Sequence, residues 1–339
     1  AKMLEEVTRQ ANALERAFRY MGYGDGDITP DRIAKYFYEE LSLPVVRLTK
    51  GEKRGAVDSE TLDKIRHLHP QVQLYLEWKK LVSAQEKFLL PIVEANLEWL
   101  RFGIKQTSTR TGRLSTTPNM QNWPVKIRSI IIAPEGMEVW ARDYNQIEPR
   151  IAAFGAQDPA MMAAYRLPSR NADGSLNLDA DPYIRLGLDM GFDRHKVLTK
   201  DPTTRRVVKS VFLGWMYGAG GFKMQETCAK EGVHLSIAEC GQFKRALEEA
   251  RPQFVQWRVK LVEQARQTGV ARTEAGRWRK VPEIWSTDPG RRAAAEREAV
   301  NEYCQGGSQD IIKRAMPKTH ALVKQAGGTQ NNQIHDELM

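Results

Sequence analysis

The stretch of residues 137–150 constrains the fold more than any other part of this chain. Every second residue of Met137–Ala141 is apolar, and Asp143 continues the alternation. Because side chains alternate between the two faces of a strand, these residues share one face, and the acid stands where the apolar face ends. From Gln146 the apolar residues recur with a helical period. The sequence therefore predicts a strand that leads directly into a helix, with a carboxylate at the junction.

A second acidic motif lies near the end of the sequence, where Ile334–Leu338 contains His335, Asp336 and Glu337. Two carboxylates delivered by separate strands suit a pair of magnesium ions, which prefer oxygen ligands. Together with a cationic helix that lies between the two motifs, they predict a nucleotidyl transferase. The ordinary alternative for Asp143 is a helix N-cap or a turn.

The cationic helix is predicted to run from about residue 201 to residue 218. Four residues recur at every fourth position along it: Arg205, Lys209, Leu213 and Tyr217. They form one slowly drifting stripe of two cations followed by an aromatic residue, as expected for a helix that binds a triphosphate. The alternatives are a solvated cationic face and, for Tyr217, ordinary core packing.

The net charge restricts the kind of partner that the chain can bind, and the cysteine spacing restricts its cellular compartment. Lys and Arg total 51 against 42 Asp and Glu, which gives a net charge of +9 and a pI near 9.4. This balance favours a polyanionic partner. The three cysteines are far apart without metal or redox spacing, so we expect a reducing, cytoplasmic setting. The sequence has no apolar run of about 18 residues and no signal pattern at its start, so neither membrane insertion nor secretion is expected.

Other elements are predicted from local patterns. Helices are expected over Asp31–Leu41, Ser59–His69 and Gln71–Leu90, and from about Arg291. Strands are expected over Arg128–Ala133, Met137–Tyr144, Val270–Thr273 and Trp278–Val281. The first two strands would be joined by a turn at Pro134–Gly136, and the last two would form a hairpin around Gly276.

Five blocks of the sequence resemble, in order, the motifs of family A DNA polymerases, the group of bacterial DNA polymerase I and its phage relatives. Asp143–Glu148 is similar to the family's Asp-Tyr-Ser-Gln-Ile-Glu motif. The other blocks are Thr111–Ser115 with Pro118–Asn122 (primer-template segment), Arg205 to Gly218 (finger helix), Arg291–Gln309 (minor-groove helix) and Ile334–Leu338 (His-Asp-Glu turn). The resemblance extends from about Ile28 to Met339, and five blocks in one order argue strongly against coincidence.

The resemblance implies a site for two Mg²⁺ ions, which Mn²⁺ can replace. Asp143 and Asp336 would bridge both ions, the backbone carbonyl of Tyr144 would complete the site, and Glu337 would be an accessory acid. Such ions would activate the primer 3′-hydroxyl and neutralise the leaving pyrophosphate.

It also implies the residues that bind the incoming nucleotide: Gln146, Glu148, Tyr183, Arg205, Lys209, Leu213 and Tyr217. Arg205 and Lys209 would hold the triphosphate, and Lys209 would also protonate the leaving pyrophosphate. Glu148 would fill the space of a ribose 2′-hydroxyl, which favours deoxynucleotides. Tyr217 would close over the nascent base pair.

The implied DNA-binding residues are Arg113, Asn119, Asn122, Arg297, Asn301, Gln305 and His335. Several of them would reach the minor-groove acceptors that are common to all base pairs, and so would check the shape of a pair without reading its sequence. The partners would be primer-template DNA and dNTPs, bound by a monomer. The sequence does not indicate a processivity factor.

Four positions depart from the family pattern. Leu213 stands where the finger helix usually has Phe or Tyr, and Tyr183 stands where a triphosphate-contacting His is common. Packing under the incoming sugar and one phosphate contact are therefore expected to differ. Pro149 replaces an apolar residue in the first turn of its helix, where Pro is tolerated, and Asn145 replaces Ser.

The predicted class is α+β, a right-hand polymerase with an antiparallel palm sheet, a helical thumb and helical fingers. The predicted parts are a lead-in (1–30), a thumb (31–104), a palm (105–156 and 252–339) and fingers (157–251). Because the chain stops at Met339, the hairpin carrying Asp336 is expected to lack its second strand, as in a truncated fragment.

The predicted function is template-directed DNA synthesis, without a 3′-5′ exonuclease in this chain. One alternative is a catalytically inactive fragment that binds primer-template DNA. Another is a single-subunit RNA polymerase, against which Glu148 and the minor-groove segments argue.

Overall fold

Short polar residues and prolines set where many of the helices begin. Thr29, Asp58, Asp158, Asp181 and Asp201 each accept a hydrogen bond from a backbone N–H in the helical turn that follows. In four of these five helices a proline occupies one of the first two positions, where its missing N–H costs nothing. These local signals explain why the helix starts near Asp31, Ser59 and Asp201 were predictable.

The structure, a computed structural model, describes residues 1–49, 51, 54–96, 99–230, 232–330, 333–334 and 337–339. The predictions for His335 and Asp336 therefore lie outside the described residues. The chain divides into two compact units, one of Ala1–Phe102 with Asn122–Ile132 and the other of Gly103–Gln121 with Ala133–Met339. This division does not itself delimit a thumb, a palm or fingers, and those boundaries stay predictions.

The first unit is helical. Its helices are α1 (Lys2–Phe18), α2 (Pro30–Lys35), α3 (Ser59–Asp63), α4 (Pro70–Ala84), α5 (Leu90–Glu94) and α6 (Val125–Arg128), with π-helical turns at Arg19–Tyr23, Tyr36–Glu40 and Gln85–Leu89. Its core is aromatic: the ring centroid of Phe18 lies 4.8 Å from that of Tyr23, 5.8 Å from that of Tyr75 and 6.2 Å from that of Phe37. Helix α1 fills much of the predicted lead-in, and the helices expected near 31–41 and 71–90 are confirmed.

The helix predicted over Ser59–His69 is shorter than expected. Helix α3 ends at Asp63, and tight turns follow it. The backbone N–H of Ile65 donates to the carbonyl of Leu62 (3.1 Å), and that of Leu68 donates to Ile65 (3.0 Å). Hydrogen bonds over three residues give the tighter 3₁₀ geometry, which does not propagate far.

The second unit combines helices with small sheets. Its helices are α7 (Ile147–Ala156), α8 (Pro159–Arg166), α9 (Pro182–Asp189), α10 (Arg194–Leu198), α11 (Pro202–Met216), α12 (Gly221–Lys230), α13 (Ile237–Ala250), α14 (Pro252–Thr268), α15 (Pro289–Asn301) and α16 (Gly307–Gln325). Short 3₁₀ helices lie at Leu178–Ala180 and Pro282–Trp285, and a π-helical turn at Glu302–Gly306 joins α15 to α16. The cationic helix predicted over 201–218 is confirmed as α11, and the long helical stretch expected from about Arg291 is also confirmed.

The strands in the described part of this unit form three antiparallel sheets. Strands β1 (Gly103–Lys105) and β2 (Ser115–Thr117) pair with each other, as do β4 (Val270–Arg272) and β5 (Trp278–Lys280), which confirms the predicted hairpin. Strand β3 (Arg142–Asp143) belongs to a three-stranded sheet of order β3, β7 (Glu337–Leu338), β6 (Gln333–Ile334). Strand β7 is thus present, so the expectation that the hairpin lacks its second strand was wrong.

The two strands predicted before Tyr144 were largely wrong. Helix α6 and turns occupy part of Arg128–Ala133, and the second strand shrinks to Arg142–Asp143. The apolar side chains of the predicted alternation are exposed, Met137 at 45% and Val139 at 44%. A strand needs a hydrogen-bonded neighbour, and β7 pairs with β3 at two residues only, Arg142 and Asp143.

The core of the second unit surrounds α11. Phe212, Trp215 and Met216 are fully buried and pack with residues of the neighbouring helices, and the Trp215 ring lies 4.7 Å from that of Phe254. A smaller apolar cluster of Ile147, Ile312 and Leu338 ties α7 and α16 to the sheet. The described part of the chain has no helix with the length and apolar composition needed to cross a membrane.

Candidate active site

The junction between β3 and α7 presents the first acidic motif. Asp143 ends β3 with its side chain exposed, and it is the register partner of Glu337 in β7. Residues directly opposite in an antiparallel pair lie on the same face of the sheet, so the structure brings two carboxylates together there. Tyr144 packs against the cluster of Ile147, Ile312 and Leu338 below, which anchors the backbone that follows Asp143.

Gln146 turns the chain from the strand into the helix. It adopts a left-handed conformation, with φ of 55°, as the residue before α7. Its side-chain oxygen accepts a hydrogen bond from the hydroxyl of Tyr165 (3.1 Å). The guanidinium of Arg150 lies over the Tyr165 ring at 4.4 Å and donates to the carbonyl of Asn145 (2.9 Å). These contacts fix the turn, so Glu148, two residues after Gln146, projects from a defined backbone.

Glu148 is held from two sides. Arg113 Nη2 donates to its Oε1 at 2.9 Å, and the hydroxyl of Tyr217 donates to its Oε2. The Glu148 side chain is 20% exposed, so the carboxylate is partly withdrawn from water but charge-paired. Burial, and next the charge of Glu148, raise the pKa of Tyr217 far above its ordinary value. The Tyr217 hydroxyl therefore stays protonated and remains a donor.

The end of α15 and the π-helical turn that follows it join the same network. With the Gln305 amide oriented so that its oxygen faces Arg113, that oxygen accepts from Arg113 Nη1 (3.0 Å) and Nη2 (3.1 Å). The amide nitrogen donates to Asn301 Oδ1 (3.2 Å) and to Thr111 Oγ1 (3.1 Å). We call Arg113, Glu148, Tyr217, Asn301 and Gln305 the Glu148 network. Its members come from four separate parts of the sequence, and the structure brings them together.

Helix α11 presents the predicted cationic stripe. Lys209 is exposed, whereas Arg205, Leu213 and Tyr217 are half-buried. Arg205 Nη1 lies 2.7 Å from Asp181 Oδ2, and its guanidinium lies 5.3 Å from the centre of the Tyr183 ring. Arg205 and Lys209 are thus open to solvent in part or in full, whereas Leu213 and Tyr217 pack against the buried core.

Comparisons with known proteins agree with this geometry. The model of the family "DNA polymerase family A" matches residues 1–339. The chain belongs to DNA polymerase family A. It is 28% identical over 345 residues to the thermostable DNA polymerase I of Thermus aquaticus. This alignment covers 98% of the chain and 39% of that protein. It is 30% identical over 353 residues to DNA polymerase I of Bacillus caldotenax, which covers 100% of the chain and 38% of that protein.

A solved structure of a family A member supports the same fold. The polymerase domain of Pol1 from M. smegmatis, in complex with a DNA primer-template and dNTP, matches with a TM-score of 0.80 and 26% identity. The match covers 99% of this chain and 59% of that one. The predicted α+β class, with the polymerase fold of family A, is confirmed. The chain spans 39% of the length of the Thermus aquaticus relative.

Other predicted site residues of this family A chain are placed as follows. Arg297 is half-buried on α15, and its Cγ lies beside Gly218 at the end of α11. Asn119 is exposed and its Oδ1 accepts from the backbone N–H of Gln121 (3.2 Å). Asn122 is exposed and belongs to the first unit, apart from the Glu148 network in the division of the chain.

Tyr183 is buried rather than open to solvent. It is 6% exposed, packs edge-on to Phe212, and lies beneath the Arg205 guanidinium. Burial raises the pKa of Tyr183 to about 12. In this position the ring supports Arg205 by a cation–π contact.

Sequence reasoning missed two charged residues beside Arg205. Asp181 is 10% exposed and lies between Arg205 and Lys200, whose Nζ is 3.1 Å from Asp181 Oδ2. Asp181 also caps α9, where its side chain accepts from the backbone N–H of Tyr183. Its pairing with cations about 20 residues away has no local signature.

The family implies divalent metal ions, and the donor set at β3 fits them. Asp143 and Glu337 place two carboxylates on one face of a sheet, and like charges in that position repel unless a cation lies near them. Within the described residues, no three His, Cys, Asp or Glu side chains group closely enough to hold a metal ion. Asp336, predicted to bridge both ions together with Asp143, lies outside the described residues.

Proposed function

We propose that this chain catalyses template-directed addition of dNTPs to the 3′-end of a primer, with release of pyrophosphate. The observation that carries the proposal is the Glu148 network. It joins the primer-template segment, the motif that follows Asp143, the cationic helix and the minor-groove helix in one set of hydrogen bonds. The M. smegmatis Pol1 domain, to which the chain is similar, was solved with primer-template and dNTP, and this supports the same substrates here.

The metal site would be built on the β3–β7 pair. Asp143 and the carbonyl of Tyr144 would hold two Mg²⁺ or Mn²⁺ ions together with Asp336, with Glu337 as an accessory acid. Bound there, the ions would lower the pKa of the primer 3′-hydroxyl and stabilise the leaving pyrophosphate. The chain's own contribution is to hold Asp143 at the strand end through the buried contacts of Tyr144.

The nucleotide would lie along the cationic stripe of α11. Arg205 and Lys209 would bind its phosphates, and Lys209 Nζ would donate a proton to the leaving oxygen. Glu148, fixed from two sides by Arg113 and Tyr217, would occupy the space of a 2′-hydroxyl and so exclude ribonucleotides. Leu213 lies on α11 and Gln146 directly precedes α7, and both would line the positions of the sugar and the base.

Arg113, Arg297, Asn301 and Gln305 would face the DNA minor groove, with Asn119, Asn122 and His335 as further DNA contacts. Purine N3 and pyrimidine O2 are acceptors in every correct base pair, so donors in fixed positions recognise pair shape. The proposal includes a monomer acting in the cytoplasm. The three cysteines are buried and form no disulfide, which is consistent with a reducing compartment.

Primer extension with Mg²⁺ and dNTPs tests the proposal. We expect the chain to extend a labelled primer, Asp143→Asn to abolish extension while DNA binding persists, and EDTA to stop the reaction. Asp173→Asn, at an exposed aspartate in the loop of residues 171–179, is the matched control and should behave as wild type.

Each alternative has its own outcome in the same assay. Salt-dependent binding of primer-template DNA without extension would identify a binding module. A preference for NTPs over dNTPs would identify an RNA polymerase. Shortening of the primer when dNTPs are withheld would contradict the expected absence of a 3′-5′ exonuclease.

A further inference from the structure

A buried charge cluster lies next to the Glu148 network. It consists of Arg277 and Arg279 from the β4–β5 hairpin, Glu302 from the π-helical turn and Asp310 from α16. Glu302 has a side-chain exposure of 0%, and its two carboxylate oxygens lie 3.3 Å from Arg277 Nη1 and 3.1 Å from Arg279 Nε. We call these residues the Glu302 cluster. Burying a carboxylate costs desolvation free energy unless nearby positive charges compensate its charge. We therefore ask what the buried Glu302 does in the structure.

Arg277 holds the backbone beside Gln305. Its Nη2 donates to the carbonyl of Gly306 (2.6 Å), and its Nε donates to Asp310 Oδ1 (2.8 Å). With the contact to Glu302, one planar guanidinium thus joins both ends of the π-helical turn Glu302–Gly306 to the start of α16. Arginine suits this task because its donors point in fixed directions. The turn carries Gln305, so the direction of that side chain depends on Arg277.

The same guanidinium also supports the segment that carries Arg113. Gly112 has a left-handed φ of 73°, and a Cβ at that position would overlap Arg277 Nη1. The backbone at Gly112 therefore rests directly on the Arg277 side chain. Arg277 thereby contacts Gly112 and Gly306, which are the chain neighbours of Arg113 and Gln305. Arg113 and Gln305 hydrogen-bond to each other in the Glu148 network.

We infer that Arg277, fixed by the buried Glu302, is a positioning residue that sets how strictly the primer terminus is checked. The inference rests on the proposed function. In a correct pair the minor-groove acceptors lie at constant positions, and in a mispair they shift. Donors that are held rigidly discriminate between these two geometries, whereas donors that can follow the shifted acceptors do not. The Glu302 cluster keeps the spacing of Arg113 and Gln305 constant without touching DNA itself.

Arg277→Lys tests this role while it keeps a positive charge for Glu302. Lysine cannot contact Glu302, Gly306 and Asp310 together, so Arg113 and Gln305 gain freedom. We expect kcat/KM for extension of a mismatched primer end, relative to a matched end, to rise about tenfold. The KM for the matched dNTP should stay unchanged, because the Arg205 site lies on another element. Arg272→Lys is the control, since Arg272 lies on β4 of the same hairpin and is exposed.

Glu302→Gln is the second variant, and it leaves Arg277 in the sequence. It should relax discrimination in the same direction, with circular dichroism showing a folded chain. A merely structural role would instead lower matched and mismatched extension equally. That equal loss, or a ratio within about twofold of wild type in both variants, overturns the inference.

A readout without catalysis separates this inference from the proposed function. Fluorescence anisotropy gives the Kd of the wild-type chain and both variants for matched and mismatched primer-template DNA. If the wild type does not extend primers, the proposed function fails, but a smaller Kd ratio in the variants would still support the positioning role. If the wild type extends primers and the Kd ratio is the same in all three proteins, the positioning role is refuted alone.

Discussion

The hydrogen bond from Tyr217 to Glu148 offers the most direct test of the candidate site. Tyr217→Phe removes the hydroxyl and leaves the ring in place. Hydrogen bonds to charged groups contribute about 1.5–3 kcal/mol. Glu148 is 20% exposed and keeps its contact with Arg113 at 2.9 Å, so we expect the lower end of that range. Urea unfolding should therefore show a free energy of unfolding lowered by about 1.5 kcal/mol.

The same change should alter sugar selectivity. With one of its two anchors gone, Glu148 can move away from the position of a 2′-hydroxyl. A loss of about 1.4 kcal/mol corresponds to a tenfold change, so the ratio of kcat/KM for dCTP over CTP should fall by about tenfold. Tyr38→Phe is the matched control, because it removes a hydroxyl that donates to the backbone carbonyl of Ala56 in the first unit rather than to Glu148. That control should retain full selectivity.

A double-mutant cycle isolates the contact. The single variants Tyr217→Phe and Glu148→Gln and their double combination should show a coupling energy of about 1–2 kcal/mol in unfolding. Strictly additive effects, with an unchanged dCTP to CTP ratio in Tyr217→Phe, would refute the reasoning, because the hydroxyl would then not be holding the carboxylate.

Three further predictions concern other parts of the second unit. Arg251→Met should lower the free energy of unfolding by about 3–5 kcal/mol, measured in urea, because it strands the buried carboxylates of Asp158 and Asp189; a loss below about 1 kcal/mol would contradict the pairing. Lys209→Gln should lower the single-turnover rate by about 100-fold, and an unchanged rate would remove its role as acid. Burial, opposed by its arginine partners, raises the pKa of Glu302, so the contribution of this group to stability should be greatest below the ordinary glutamate pKa and decline as the pH rises through the raised value. Glu302→Gln should lack this slope in urea titrations from about pH 4 to 7, and a slope that persisted would assign it to another group.

Local patterns predicted the elements whose causes are local. The Asp201 cap and Pro202 mark the start of α11, and the alternation around Gly276 marks the β4–β5 hairpin. The strand expected over Met137–Tyr144 failed, because alternation cannot tell whether a partner strand is present. Only its last part pairs, and that pairing comes from β7, almost 200 positions later in the chain.

The order of motifs in the sequence indicated which residues belong to the site, but it did not indicate how they contact one another. The sequence does not show that Arg113 bonds to both Glu148 and Gln305, since these contacts join distant segments. The ion pairs of Asp181 and of Glu302 were missed for the same reason. A buried acid is recognisable only after the fold brings its arginine or lysine partner beside it.

The close approach of Gly112 to Arg277 also limits how this chain can vary during evolution. A side chain at position 112 would overlap the guanidinium, and it would also face the left-handed φ of 73°. Glycine at 112 therefore cannot change alone, and a relative that carries a larger residue there must carry a smaller one at 277. Because Arg277 also compensates Glu302, that second change would require a third, the loss of the buried acid. Substitutions at these positions are thus expected to be inherited as a set, and an alignment of family A sequences should show the three columns covarying.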